Sequence, residues 1–191
     1  MTPPVVERTS IRKIQTDQTR TAILEAAQRL FSSRGYSETG VRDIAAEAGV
    51  NPALISRYFG SKLQLFETAL ENTLGVSVFT DGDRDQFGRR VTDMICLSER
   101  DQAGVIPALV LSAGDSAARE IILRQLKLLV LEPLEQWFNS SDASERAAQL
   151  TLIVTGFFTY RDLLPLEALK GDASEGMRVW LARTLQEIVD R

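Results

Sequence analysis

Between Asn51 and Lys62 the chain reads NPALISRYFGSK, and these residue types suit recognition better than bond-making. On a helix wheel, at about 100° per residue, Ile55 and Phe59 share a face that must point inward. Ala53 and Arg57 fall on the opposite side, flanked by Leu54 and Ser56. That outward set is small, apolar, hydroxylic and cationic, the types that meet a thymine methyl, a base edge, and a guanine or phosphate. Catalytic chemistry is much harder to assemble. The chain has no histidine, which removes Ser-His-Asp and Cys-His nucleophile systems and histidine-based metal sites. Its single cysteine, Cys96, cannot close an intrachain disulfide and reads as a small buried hydrophobe rather than a redox sensor. No acid–base pair or phosphate-binding loop stands out, so the expectation is a non-enzyme with no cofactor and no metal.

The elements around this segment are helices that would hold it in place. From Gln18 to Arg34 the residues Ile23, Ala26, Ala27, Leu30 and Phe31 recur at three- and four-residue spacing, and Gly35 follows as a C-cap. Val41, Ile44, Ala45 and Ala48 make a second, short apolar stripe ending at Gly49. Asn51 is a strong N-cap for the third helix, with Pro52 at N1 where its missing N–H costs nothing. Gly60 stops that helix, and Ser61 with Gln64 forms a capping box for a fourth carrying Leu63, Phe66, Leu70 and Leu74. The turn Ala48–Asn51 is short and contains a glycine, as a helix-turn-helix requires. Residues 1–17, with Pro3, Pro4, Arg8, Arg12 and Lys13, read either as a flexible tail or as a basic arm that touches DNA.

Charge divides unevenly along the chain. The formal net charge is −4 over 191 residues, yet the segment up to Lys62 holds nine basic and six acidic residues. The remainder holds thirteen basic and twenty acidic residues, so the two parts are expected to do separate jobs. The start lacks an apolar signal core, and no apolar run approaches the roughly 20 residues that span a bilayer. A cytoplasmic protein without membrane contact is expected.

The stretch Thr21 to Leu70 closely resembles the DNA-binding domain of TetR-type transcriptional regulators. The matching pieces are the AAxxLFxxxGY ending of the first helix, VRDIAxxAGV, and the YFxSKxxLF that opens the fourth. Carried over by position, the resemblance implies phosphate contacts from Asn51, Tyr58 and Lys62. It places Ala53, Leu54, Ser56 and Arg57 near bases, with Thr39 and Arg42 beside the phosphate strand. Gly40 departs from the usual Ser/Thr cap of the second helix, and Ser56 and Arg57 replace commoner aromatic residues. Base preference therefore does not transfer.

Beyond Gly75 the helical pattern continues with no strand signal, so the expected fold is all-α. A three-helix helix-turn-helix head (18–62) precedes a helical-bundle body (63–191), with about nine helices in all. Pro133 should kink or end the helix it interrupts. The resemblance implies an effector pocket in the body, for which Met94, Leu97, Ile106, Leu109, Leu126, Val130, Trp137, Phe157 and Tyr160 are candidates, each equally readable as core. The last two helices are apolar around much of their circumference, so Ile153, Gly156, Trp180, Leu181, Leu185 and Ile188 are candidates for a homodimer interface or for the centre of the body. The implied function is a repressor that binds a near-palindromic double-stranded DNA operator as a homodimer and is released by a small, largely apolar effector. The alternatives are an effector-independent DNA-binding regulator and a helical carrier or enzyme.

Overall fold

The protein is described by a computed structural model covering residues 5–97, 104–169 and 173–191, with side chains from Gln15 onward apart from Val78. Every extended element among the described residues is helical, and there are nine. The head comprises α1 (Val5–Arg34), α2 (Val41–Glu47), α3 (Pro52–Phe59) and the start of α4 (Lys62–Glu71). A single turn at Ser77–Thr80 leads into α5 (Phe87–Leu97) and α6 (Val105–Ser112). Helix α7 runs over Ser116–Leu126, a π turn Lys127–Leu131 and Glu132–Phe138. Helix α8 is Ala143–Phe158, extended by a second π turn Thr159–Leu163, and α9 is Glu175–Asp190.

Two expectations change here. Within the expected arm of residues 1–17, the described part is not a separate irregular segment, because the backbone of α1 is already helical at Val5. The cause is local: after Pro4 no glycine or proline interrupts the chain before Gly35, so the helix propagates backward at little cost. Residues 1–4 lie outside the described part. The kink expected at Pro133 takes the form of the π turn immediately before it. A proline cannot donate to a carbonyl one turn back and its ring crowds that carbonyl, and the wider turn relieves both problems.

Two apolar cores organise the packing. The first joins Ile23, Phe31, Ile44 and Ile55 of the head to Leu65, Phe66 and Leu70 of α4, and continues into Ala108, Leu109, Ile121 and Ile122 of α6 and α7. This core therefore extends past Lys62 with no linker between head and body. Polar contacts reinforce the seam. The Tyr36 N–H donates to Ser112 Oγ at 2.9 Å, and the Ser32 hydroxyl donates to the Gly104 carbonyl at 2.8 Å. The buried Gln125 amide of α7 donates to Glu67 and Glu71 of α4, at 2.9 and 3.1 Å, and Arg124 pairs with Glu67.

The second core lies in the body, around Phe87, Val91 and Ile95 of α5, Leu134 and Phe138 of α7, Ala147 and Leu150 of α8, and Leu181, Leu185, Ile188 and Val189 of α9. Helices α5 and α9 cross closely at Gly88, where an added Cβ would stand 2.0 Å from the Ala182 carbonyl oxygen. Gly88 also donates its N–H to Gln186 Oε1 at 2.8 Å. At the other end Arg146, buried on α8, donates to the carbonyls of Ile188 and Val189 at 2.8 and 2.7 Å and so closes the C-terminus of α9. Arg161 is likewise buried, donating to the Ile95 carbonyl at 2.8 Å and to the neighbouring Asp162 carboxylate.

Candidate nucleic-acid interface and ligand cavity

The connection between α2 and α3 forms for local reasons. Gly49 takes φ of +65°, which a residue with a Cβ rarely adopts, and the Val50 N–H then reaches the Ala45 carbonyl at 2.9 Å. Asn51 Oδ1 accepts from the Ala53 N–H at 2.9 Å, and Pro52 occupies the first turn of α3. Ile55 and Phe59 anchor α3 into the first core. The side chains of Asn51, Ala53, Ser56 and Arg57 consequently stand exposed together along the start and outer side of this helix. Arg57 lies beside the Tyr58 ring, its guanidinium carbon 6.0 Å from the ring centre.

Four of the expected contact residues behave differently from the rest. Leu54 and Tyr58 are only half-exposed and pack against the first core: Tyr58 thus has the packing role that is the alternative to a phosphate contact, and Leu54 has a structural use that the wheel did not suggest. Thr39 is buried, its hydroxyl donating to the Gly35 carbonyl at 2.7 Å, which makes it a brace of the α1–α2 turn rather than a surface group. The Lys62 ammonium donates to the carbonyls of Tyr36 and Thr39, at 3.0 and 3.1 Å, and sits 3.9 Å from the centre of the Tyr36 ring. These contacts tie the start of α4 to the turn that leads into α2. Burial pushes the Tyr36 phenol above its ordinary pKa, with the Asp115 charge adding in the same direction. Arg42, at the start of α2, is exposed. Arg20, outside the expected contact set, is also exposed and covers the Phe59 ring at 5.5 Å. Only the packing of α1 across α3 brings it there, so local spacing carries no signal for it.

The body contains a cavity of about 250 Å³ where the two cores meet. Its walls come from the turn after α4 (Thr73, Leu74, Val76), α5 (Phe87, Val91), the start of α6 (Val105, Ile106), α7 (Leu126, Val130, Leu134), α8 (Leu150, Thr151, Val154, Thr155, Phe158) and Leu185 of α9. Of the pocket candidates, Ile106, Leu126 and Val130 line it. Met94, Leu109, Trp137 and Phe157 do not: Leu109 fills the first core, Phe157 and Trp137 belong to the second, and Met94 is half-buried elsewhere on α5. Leu97 and Tyr160 are 68% and 47% exposed at helix ends, outside any enclosure.

The interface candidates divide in the same way. Leu181, Leu185 and Ile188 face inward and are nearly inaccessible within the protomer, which removes them from a surface role. Ile153 is half-buried against the second core. Gly156 and Trp180 remain accessible, and an added Cβ on Gly156 meets no atom within 4 Å. Leu152 and Val179, not among the candidates, are 71% and 56% exposed on the same two helices.

A short helix-turn-helix joined to an all-helical body defines a class, the helix-turn-helix DNA-binding proteins. Comparison with known proteins agrees. The model described as bacterial regulatory proteins of the tetR family matches residues 23–69, and the tetracyclin repressor-like C-terminal domain matches residues 85–189. The chain belongs to the tetR family of bacterial regulatory proteins. Over 73 residues it is 42% identical to the HTH-type transcriptional repressor Rv3405c of Mycobacterium tuberculosis, covering 37% of each chain. It is 40% identical over 65 residues to the repressor NicS of Pseudomonas putida, covering 34% of this chain and 31% of that one. The match thus spans about a third of the length of these curated relatives. Among solved structures, Salmonella enterica GusR superposes with a TM-score of 0.69 at 18% identity, over 91% of this chain and 96% of that one. AibR, solved with isovaleryl coenzyme A and operator DNA, superposes with a TM-score of 0.61 at 20% identity, over 87% and 97%. No helix among the described residues is long and apolar enough to cross a membrane.

Proposed function

We propose that the chain is a ligand-responsive repressor that acts in the cytoplasm, binds a near-palindromic operator as a homodimer, and releases it when a small effector enters the body. The exposed set Asn51, Ala53, Ser56 and Arg57 on α3 is the observation that carries the DNA reading, since nothing among the described residues covers it. Arg57 supplies the guanine or phosphate contact, Ser56 a base-edge contact and Ala53 a methyl-sized surface. Arg42 and Arg20 flank them with positive charge that holds the helix in its groove. A two-fold dimer joined through α8 and α9, with Leu152, Gly156, Val179 and Trp180 at its contact, sets the two heads at the fixed spacing a palindrome needs.

The cavity supports the ligand-responsive reading over an effector-independent one, because the described side chains of the body leave it open. Its walls also point to how an effector is felt. Thr73 and Leu74 follow directly on α4, and Leu126 follows the Glu67–Arg124–Gln125 contacts that bind α4 to α7. A molecule that prefers wider-set walls shifts the protein toward a state in which α4, and with it the head, is displaced. AibR, of the same fold, is solved with a small molecule and DNA together. The test is selection of genomic fragments by the purified protein, with Arg57→Ala as control. An enriched two-fold sequence that the variant loses supports the proposal. Equal enrichment by both proteins refutes the role given to α3.

A further inference from the structure

We infer that the effector is a neutral molecule of about ten to twelve non-hydrogen atoms, a compact hydrocarbon skeleton bearing a single hydroxyl group. This rests on the ligand-responsive reading above and narrows it to a chemical class.

Size follows from the cavity. A dry cavity of about 150 Å³ lined by aliphatic and aromatic residues accommodates benzene. The cavity of about 250 Å³ scales to a skeleton the size of two fused rings or a substituted single ring. Neutrality follows from the walls. Among the described residues no Asp, Glu, Lys or Arg lines the cavity; its polar side chains are the hydroxyls of Thr73, Thr151 and Thr155. A carboxylate, phosphate or ammonium entering it gives up its water and meets no opposite charge among the described residues, which is a large penalty against binding.

The hydroxyl follows from what those threonines have left to offer. Thr73 Oγ1 donates to the Ala69 carbonyl at 2.7 Å, and Thr151 Oγ1 donates to the Ala147 carbonyl at 2.8 Å. Each has committed its one proton and can only accept. Thr155, one turn along α8 from Thr151, makes no side-chain hydrogen bond among the described residues and can still donate. A ligand hydroxyl set between them donates to Thr151 and accepts from Thr155, so both of its roles are used. A ketone or ether accepts only and leaves the Thr151 oxygen unmatched.

The experiment compares four probes that share one ring system: 1-naphthol, naphthalene, 1-naphthoate and 1-naphthylmethylammonium. Binding to the purified full chain is measured by calorimetry or by quenching of tryptophan emission, and operator release is measured separately. Naphthol should bind most tightly, naphthalene more weakly, and both charged probes about tenfold or more below naphthol. Thr155→Val should cost naphthol about fivefold and leave naphthalene unchanged. A charged probe that matches naphthol overturns neutrality, and a Thr155→Val protein that still prefers naphthol to naphthalene by the same ratio overturns the hydroxyl assignment. Failure of all four probes to bind a protein that still binds its operator overturns the class as a whole. Operator release is read separately across a set of neutral monohydroxylated ring compounds that bind: release by at least one is expected, and binding by all with release by none leaves the pocket's chemistry standing and refutes ligand response instead.

Discussion

Removing the charge of Lys62 separates an internal tie from a DNA contact. Its ammonium holds two carbonyl oxygens of the α1–α2 turn, at 3.0 and 3.1 Å, and lies 3.9 Å from the Tyr36 ring centre. Hydrogen bonds from a charged donor are worth about 1.5–3 kcal/mol each, and a cation–π contact about 0.5–1 kcal/mol at a partly exposed site. Against that stands the ordering of a long side chain, about 2 kcal/mol, and partial solvation of a half-buried group. The net is about 2 kcal/mol. Lys62→Met keeps the stem and deletes the charge. It should lower the melting temperature by roughly 4–8 °C for a chain of this size. Operator affinity should fall because α2 loses its support, yet the dependence of affinity on salt should keep its slope. A lysine that neutralises a phosphate instead contributes about 0.9 to that slope. Unchanged stability with a slope reduced by that amount would show that Lys62 reaches the DNA backbone and that its carbonyl contacts carry little energy.

Arg57→Ala should weaken operator binding by about 1–3 kcal/mol and relax selectivity at one base pair per half-site, read from competition with single-base operator variants. Gly88→Ala should destabilise the body by about 1–3 kcal/mol, since the new methyl meets the Ala182 carbonyl oxygen at 2.0 Å; an unshifted denaturant midpoint refutes the close α5–α9 crossing. A Cβ added at Gly156 meets no described atom of a neighbouring element within 4 Å, so Gly156→Leu should leave the folded protomer intact while dissociating the dimer in sedimentation. Asp115 caps α7, and the Ala118 N–H, with help from the Ser37 hydroxyl, holds its carboxyl below the ordinary value of 3.8. A lowered folded-state pKa stabilises above that ordinary value, and the gain disappears as pH falls through the folded-state value. Asp115→Asn retains a good cap and should flatten the acid side of the stability profile; an unaltered profile would show that the carboxylate charge is irrelevant there.

Features set by neighbouring residues were legible in the sequence. Asn51 with Pro52, Gly49 at the turn, and Ser61 with Gln64 act within a few residues of one another, and each forms the contact its spacing implies. The exposed side of α3 follows from Ile55 and Phe59 by the same logic. What distant packing decides was not legible. Lys62 and Thr39 carry hydrogen-bonding groups fit for a phosphate, and only the fold of the α1–α2 turn gives them carbonyls instead. Helix α9 is apolar on more than one side, so Leu181 and Leu185 cannot be told from Val179 and Trp180 until α5 is laid against it. The cavity is hidden for a related reason: its Leu, Val and Phe walls are the same residue types that fill both cores, and a missing side chain leaves no mark in a sequence.

Val130 packs against both cores, on the π turn of α7, and forms part of the cavity wall between them. Any molecule that fits there adds apolar contacts to two halves of the body at once, so its binding free energy is also resistance to unfolding. Heat resistance therefore registers every occupant, including those that leave the heads in place. A melting screen finds the whole set of guests, and operator release picks out those that act as signals. Compounds in the first group but not the second would be competitive antagonists of the natural signal, built from the same cavity without a single change in the chain.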